Sequence, residues 1–191
     1  MMNYTSALLF LLVFCTSCSE QNETSGQKER PHSATNFSGE WKARESISMG
    51  GNIVCTYAEG DRMRSKTMKI TAQADFLTIE VPHPSAGAAL ATSQEKLVFN
   101  GKESEINHSR EKGKKFTVTR SADGQTMTVN TTVRLMTAVP HTINTLQQQF
   151  VYVTEVWRLS NDGNTISVQA KAKATLLGDE RSWTTVFDRV R

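Results

Sequence analysis

The amino-acid sequence predicts an all-β domain, a single antiparallel up-and-down barrel of about eight to ten strands. Three observations predict it. Apolar residues recur with a period of two from Phe37 onward, turn signals separate the alternating segments, and no window of useful length carries a helical apolar stripe.

The alternation is clearest late in the chain. Met127, Val129, Thr131, Val133 and Leu135 share one face, and Thr126, Thr128, Asn130, Thr132 and Arg134 share the other. Ile166, Val168, Ala170, Ala172 and Ala174 alternate with Thr165, Ser167, Gln169, Lys171 and Lys173. Met68, Ile70 and Ala72 alternate with Thr67, Lys69 and Thr71. Such alternation marks strands with one buried face. About nine strands are expected, near 38–48, 65–73, 75–82, 93–100, 114–120, 125–136, 147–159, 164–175 and 181–190. The stretches SADGQTMTV and NDGNTISV carry Asp123-Gly124 and Asp162-Gly163, strong hairpin signals because glycine accepts the positive φ of a tight turn. Asn100-Gly101 and Gly178-Asp179 punctuate in the same way. Consecutive antiparallel strands joined by short turns leave no exposed edge when they close on themselves.

Ahead of the strands, Ala7 to Phe14 is apolar throughout. A bilayer-spanning helix needs roughly 20 such residues, and this run has about half that. It therefore reads as the core of a signal peptide, residues 1–17. Thr16 and Ser17 are small and Cys18 follows them, which resembles a bacterial lipoprotein signal. The resemblance implies that Cys18 is acylated and becomes the first mature residue, and that Ser19 after it directs the protein to the outer membrane. Residues 18–35 lack aliphatic side chains almost entirely and read as a disordered tether. With Cys18 acylated and Cys15 removed, Cys55 is the one thiol left, so the domain must be stable on packing alone. Residues 36–191, about 155 in all, suffice for one substantial core.

FSGEWKA places Gly39 and Trp41 at the start of the first strand, and the chain closes with TTVFDRVR. The Gly39-Glu40-Trp41 motif resembles the Gly-x-Trp signature of lipocalins. VTEVWRLSNDGNTISV and VFDR also resemble a group of bacterial lipocalin-like lipoproteins, mostly of unassigned function. The resemblance implies that Trp41 plugs the closed end of the barrel and that an arginine of the last strand, Arg189, lies over its ring. A guanidinium on an indole face contributes about 0.5–2 kcal/mol.

Strand parity selects the candidate site residues. Glu45 is in phase with Trp41 and Ala43, and Glu155 is in phase with Val153 and Trp157, so both carboxylates fall on faces expected to be buried. A buried charge must pair or meet a polar ligand. Ala170 and Ala172 put small side chains on an inward face, leaving room for one small ligand in a barrel of about eight strands. Tyr57 lies in the long glycine-rich connection between the first two strands, the position of a lid over the mouth in lipocalins.

These observations imply a lipid-anchored cell-envelope protein that holds a small apolar or amphipathic ligand, facing the periplasm or the cell surface. The alternative is an interaction or inhibitor module with a filled barrel and an envelope protein partner; a third reading is a hydrolase or isomerase using an interior glutamate. The net charge of +3 is small and the basic residues lack interleaved aromatics, so a nucleic-acid surface is not indicated. His32, His83, His108 and His141 have no metal-ligand spacing, no Gly-x-Ser-x-Gly elbow occurs, and neither a cofactor nor a catalytic constellation is expected.

Overall fold

The computed structural model of the protein describes residues 36–45, 61–84, 90–107, 113–138, 145–175 and 180–191, all within the unit Ser33–Arg191. The signal peptide, Cys18, the tether, Cys55 and Tyr57 lie outside the described residues. Ten strands follow one another: β1 (Gly39–Ala43), β2 (Thr67–Ala72), β3 (Phe76–Pro84), β4 (Leu90–Val98), β5 (Ser104–Asn107), β6 (Gly113–Arg120), β7 (Thr126–Ala138), β8 (Leu146–Leu159), β9 (Thr165–Ala174) and β10 (Glu180–Arg189). A 3-10 turn, Arg62–Arg64, precedes β2.

The strands form one antiparallel sheet in the order β4-β3-β2-β1-β10-β9-β8-β7-β6-β5. Every neighbouring pair but one is consecutive in sequence. The exception joins the first strand to the last, with Trp41 opposite Arg189 and Ala43 opposite Phe187. The sheet curls until Cα atoms of β4 and β6 come within 8 Å, so it is an up-and-down barrel closed except for a seam between β4 and the β5–β6 edge. This architecture is compatible with a lipocalin-like calycin fold. Among the described residues, no helix is long and apolar enough to cross a membrane.

The period of two explains which side chains fill the interior. Inward faces carry Met68 and Ile70 from β2, Leu77, Ile79 and Val81 from β3, and Phe116 and Val118 from β6. β7 adds Met127 and Val129, and β9 adds Ile166 and Val168. Together with Phe37, Trp41, Trp157 and Phe187 they make one large apolar cluster at the Trp41 end. A second, smaller cluster at the other end holds Met63, Val133, Val151, Val153, Ala170, Ala172 and Ala174, with Trp183 beside it.

Two expectations need correction. The first strand ends at Ala43, not near residue 48. A tenth strand, β5, falls between the expected strands near 93–100 and 114–120; Ser104-Glu105-Ile106-Asn107 offers a single apolar residue to the barrel and so carries almost no alternation to read.

The two Asp-Gly turns are built alike. Gly124 N–H donates to Ser121 O at 2.9 Å, and Gly163 N–H donates to Ser160 O at 2.8 Å. Both glycines have φ near +70° (72° and 69°). Within each turn the serine hydroxyl oxygen accepts from a backbone N–H five residues on, Thr126 and Thr165, at 2.9 Å in both cases. At Asp162, the Ser160 hydroxyl and the backbone N–H of Asn164 hold the carboxyl down at about 2.

Candidate functional site

Between the two apolar clusters lies a buried layer of charge. Arg62, on the 3-10 turn, sends its side chain into the barrel, where it is fully buried. Its Nη2 donates to Glu155 Oε1 at 2.8 Å and its Nε to Glu155 Oε2 at 3.4 Å, a two-pronged contact with the carboxylate on β8. Nη1 meets Glu95 Oε2 on β4. Nη2 also reaches the Thr131 hydroxyl on β7 at 3.4 Å. Trp157 Nε1 donates to Glu155 Oε2 at 2.7 Å, so both oxygens of Glu155 are engaged.

Lys114 completes the layer from β6. Its Nζ lies 3.0 Å from Asp61 Oδ2 and 2.8 Å from Glu95 Oε1. The second contact is an ion pair outside hydrogen-bonding geometry, which leaves that buried oxygen of Glu95 without a hydrogen bond. Because Glu95 and Lys114 sit on β4 and β6, their pair spans the seam of the barrel. The 3-10 turn is fixed locally: Asp61 Oδ1 accepts from Met63 N–H at 3.0 Å, and the Ser65 hydroxyl donates to Arg62 O at 3.0 Å.

The two carboxyls respond to this environment in opposite directions. Burial alone raises the Glu95 carboxyl, but Arg62 and Lys114 together outweigh it and hold the group at about 2. At Glu155, burial is the larger effect, and its carboxyl is raised despite Arg62 and the Trp157 N–H. Burial also disfavours the Arg62 cation, but Glu155, Glu95 and Asp61 outweigh it and keep the guanidinium firmly charged. The asymmetry follows from contacts and burial: Glu95 touches both cations, whereas the more deeply buried Glu155 touches only Arg62 of the two. By formal count, Asp61, Glu95 and Glu155 against Arg62 and Lys114 leave one negative charge over.

The sequence-predicted residues divide. Glu155 and Ala170 are cross-strand partners, and Val153 pairs with Ala172, so the glutamate and the alanine face form one continuous wall. Ala170, Ala172 and Ala174 are all buried, at 4%, 1% and 2% exposure. A side chain bordering a water-sized void would retain exposed surface, so this wall is covered. Glu45 is exposed, beyond the end of β1, and takes no part. Its parity with Trp41 predicts burial only while the strand continues, and the strand has stopped two residues earlier.

At the Trp41 end, Arg189 Cζ lies 4.4 Å from the centroid of the Trp41 ring. Trp41 Nε1 donates to Phe37 O at 2.9 Å. Arg189 spends its donors on backbone carbonyls: Nε on Gly163 O at 2.7 Å, Nη2 on Asn36 O at 3.2 Å, and Nη1 on Ser38 O. Gly39 has φ +143°, and a Cβ there would come within 2.5 Å of Arg189 Nη1. The glycine of the motif is thus required both by its backbone and by the guanidinium above it.

Sequence reasoning missed Arg62, Asp61, Glu95 and Lys114. Two of them carried a readable signal. Glu95 is in phase with buried Leu97, and Lys114 with buried Phe116 and Val118, just as Glu155 is in phase with Trp157. Charges in phase with apolar residues on three strands imply a shared interior network. Arg62 carried no such signal, because a 3-10 turn has no strand parity. Among the described residues, no group of three or more His, Cys, Asp or Glu side chains is arranged to hold a metal ion. Set against family models, curated proteins and solved structures, the chain matches none.

Proposed function

We propose that the protein is a lipid-anchored cell-envelope binding protein whose barrel takes a small amphipathic ligand, its polar end on the buried charge layer and its apolar part along the alanine wall. The anchor is the acylated Cys18 of an outer-membrane lipoprotein. The observation that carries the reading is the charge layer itself. Five ionisable side chains meet midway along a largely apolar barrel, Arg62, Lys114 and Glu155 buried and Asp61 and Glu95 nearly so, at 13% and 12% exposure. Such a network is a poor way to stabilise a core, since apolar side chains of similar volume do as well or better, by about 1–4 kcal/mol in favourable cases. Its presence fits a site that recognises polar chemistry in a dry interior.

Native mass spectrometry of the full-length protein, purified from its own host in mild detergent, tests this. A stoichiometric small molecule that leaves on denaturation is the expected result; an empty barrel that also binds no amphipathic probe overturns it.

The covered alanine wall favours a second reading, an envelope interaction module whose barrel is filled by its own side chains. Cross-linking in intact cells separates the two, because a stoichiometric protein partner belongs to the second reading and not to a ligand carrier. A hydrolase or isomerase using Glu155 as a base has less support, since both Glu155 oxygens already accept hydrogen bonds and the side chain is fully buried.

A further inference from the structure

We infer that the polar end of the ligand is a monocation, a guanidinium or primary ammonium group, and that Arg62 occupies the position this group would take. The inference rests on the ligand-binding reading above and names the chemistry of that same site.

The first argument is the origin of the groups. Glu95, Lys114, Thr131, Glu155 and Trp157 all belong to strands of the barrel wall. Arg62 does not; it is delivered by the 3-10 turn, together with Asp61. The cation is therefore the one member of the central contact that no strand of the sheet carries. Around its position the wall presents four converging acceptor atoms: both Glu155 oxygens, Glu95 Oε2 and Thr131 Oγ1. An anionic group placed there would face carboxylates, while the nearby donors, Lys114 Nζ and Trp157 Nε1, are already directed at Glu95 and Glu155.

The second argument is the charge count. Asp61 and Arg62 together are neutral, so the wall without the turn keeps the same single excess negative charge: Glu95 and Glu155 against Lys114. A monocation brings that wall to zero with both carboxylates ionised. An anion would bring it to two negative charges in a buried setting, where unpaired charge is most costly.

The third observation is independent. Gln149 lies on the same inward face of β8 as Glu155, six residues further toward the Ala174 end, about 20 Å away at strand rise. It is 2% exposed, and its Nε2 has no hydrogen-bond partner. Buried amide donors are normally satisfied. Between it and Glu155 the wall is Val151, Val153 and the three alanines. Along β8 the wall thus carries, in order, acceptors for a cation, an apolar stretch that other side chains cover in this structure, and one unmet donor.

The test uses the full chain and four probes of one chain length, octylguanidinium, octylammonium, octanoate and octanol, each below its micelle-forming concentration. Binding is followed by the tryptophan fluorescence of the wild-type protein, Arg62→Ala and Arg62→Met. We expect the two cations to bind Arg62→Ala at least about tenfold more tightly than the acid or the alcohol and to raise its melting temperature. Binding to the wild type should be weaker, because its own Arg62 competes for the acceptors and only the fraction with Arg62 displaced is competent. Glu155→Gln in the same background should abolish the preference for cations. If Arg62→Ala and Arg62→Met do not fold alone, their refolding yield with each probe is the readout, and rescue by the cations alone is expected. Binding or rescue by octanoate or octanol equal to that by the cations overturns the inference and leaves the ligand-binding reading standing. No response to any probe also overturns it; native mass spectrometry of the host-purified protein then decides the wider reading, since a retained ligand of another class preserves it and an empty barrel ends both.

Discussion

At the scale of single residues, the charge layer ties stability to pH in two opposed ways. Glu95 is held at about 2 against an ordinary value of 4.5, so its contribution is present above about pH 4.5 and is lost as pH falls toward 2. That contribution is on the order of 3 kcal/mol. Glu155 is raised, so its contribution is complete below about 4.5 and is lost as pH rises through its folded value. Glu95→Gln should therefore be most damaging near neutral pH and nearly silent near pH 2. The deficit of Glu155→Gln relative to wild type should shrink as pH rises above about 4.5. Denaturant titrations at a series of pH values check both, and parallel profiles for the two variants would contradict the assignment. Trp41 behaves differently, because its side chain carries no ionisable group. It is wholly buried, and Trp41→Ala should cost about 3–5 kcal/mol at every pH. Gly39→Ala should also destabilise, since its Cβ must displace Arg189 from a backbone already at positive φ. The Gly39, Trp41 and Arg189 arrangement was legible because a three-residue motif and the last strand named its members. Glu155 was legible from parity alone, and the same parity misled at Glu45, where strand length decides burial.

At the scale of elements, the turns were the most readable feature and the 3-10 turn the least. An Asp-Gly pair between alternating segments states its own geometry, because only glycine holds a φ near +70° without strain. β5 and the early end of β1 were not readable, since one apolar residue or a five-residue strand leaves too short a pattern. The turn that carries Arg62 sits in a glycine-rich stretch whose local sequence says only that it is a connection; its burial depends on Glu95, Thr131 and Glu155, from strands far away in the chain. Two turn glycines separate backbone strain from crowding. Gly101 has φ +66° with nothing within 4 Å of an added Cβ, whereas at Gly124, φ +72°, the Cβ would fall 2.5 Å from Arg120 Nη2. Arg120 also donates from Nε and Nη2 to Gly124 O, at 3.3 Å each. Gly101→Ala should cost about 1–2 kcal/mol, the left-handed penalty alone. Gly124→Ala should cost more, because Arg120 must give way as well. Urea denaturation of the two variants checks the order, and a Gly101→Ala loss equal to or larger than that of Gly124→Ala would show that the Arg120 contact adds nothing.

At the scale of the whole molecule, the barrel and its proposed attachment obey separate physics. The barrel closes by pairing its first strand with its last, and its seam carries the Glu95–Lys114 pair where a backbone ladder is missing. Among the described residues, the large apolar side chains mostly point inward, and the exposed ones, Met136, Leu146, Tyr152 and Val190, are scattered. In the proposed reading, attachment comes from the acylated N-terminal segment. Each buried CH2 contributes about 0.8 kcal/mol, so one acyl chain holds a protein marginally and two or more hold it stably. A mature chain beginning at an acylated Cys18 carries more than one such chain. Cys18→Ala should therefore release the protein from the membrane fraction while leaving the barrel's denaturation midpoint unchanged. Cys15→Ala should alter neither, because the proposed cleavage before Cys18 removes Cys15. Detergent partitioning, together with mass spectrometry of the N-terminal peptide, reads the outcome. Release by Cys15→Ala alone moves the lipidation site to Cys15. Retention of both variants on the membrane removes the lipid anchor altogether, and the apolar opening segment then serves secretion only.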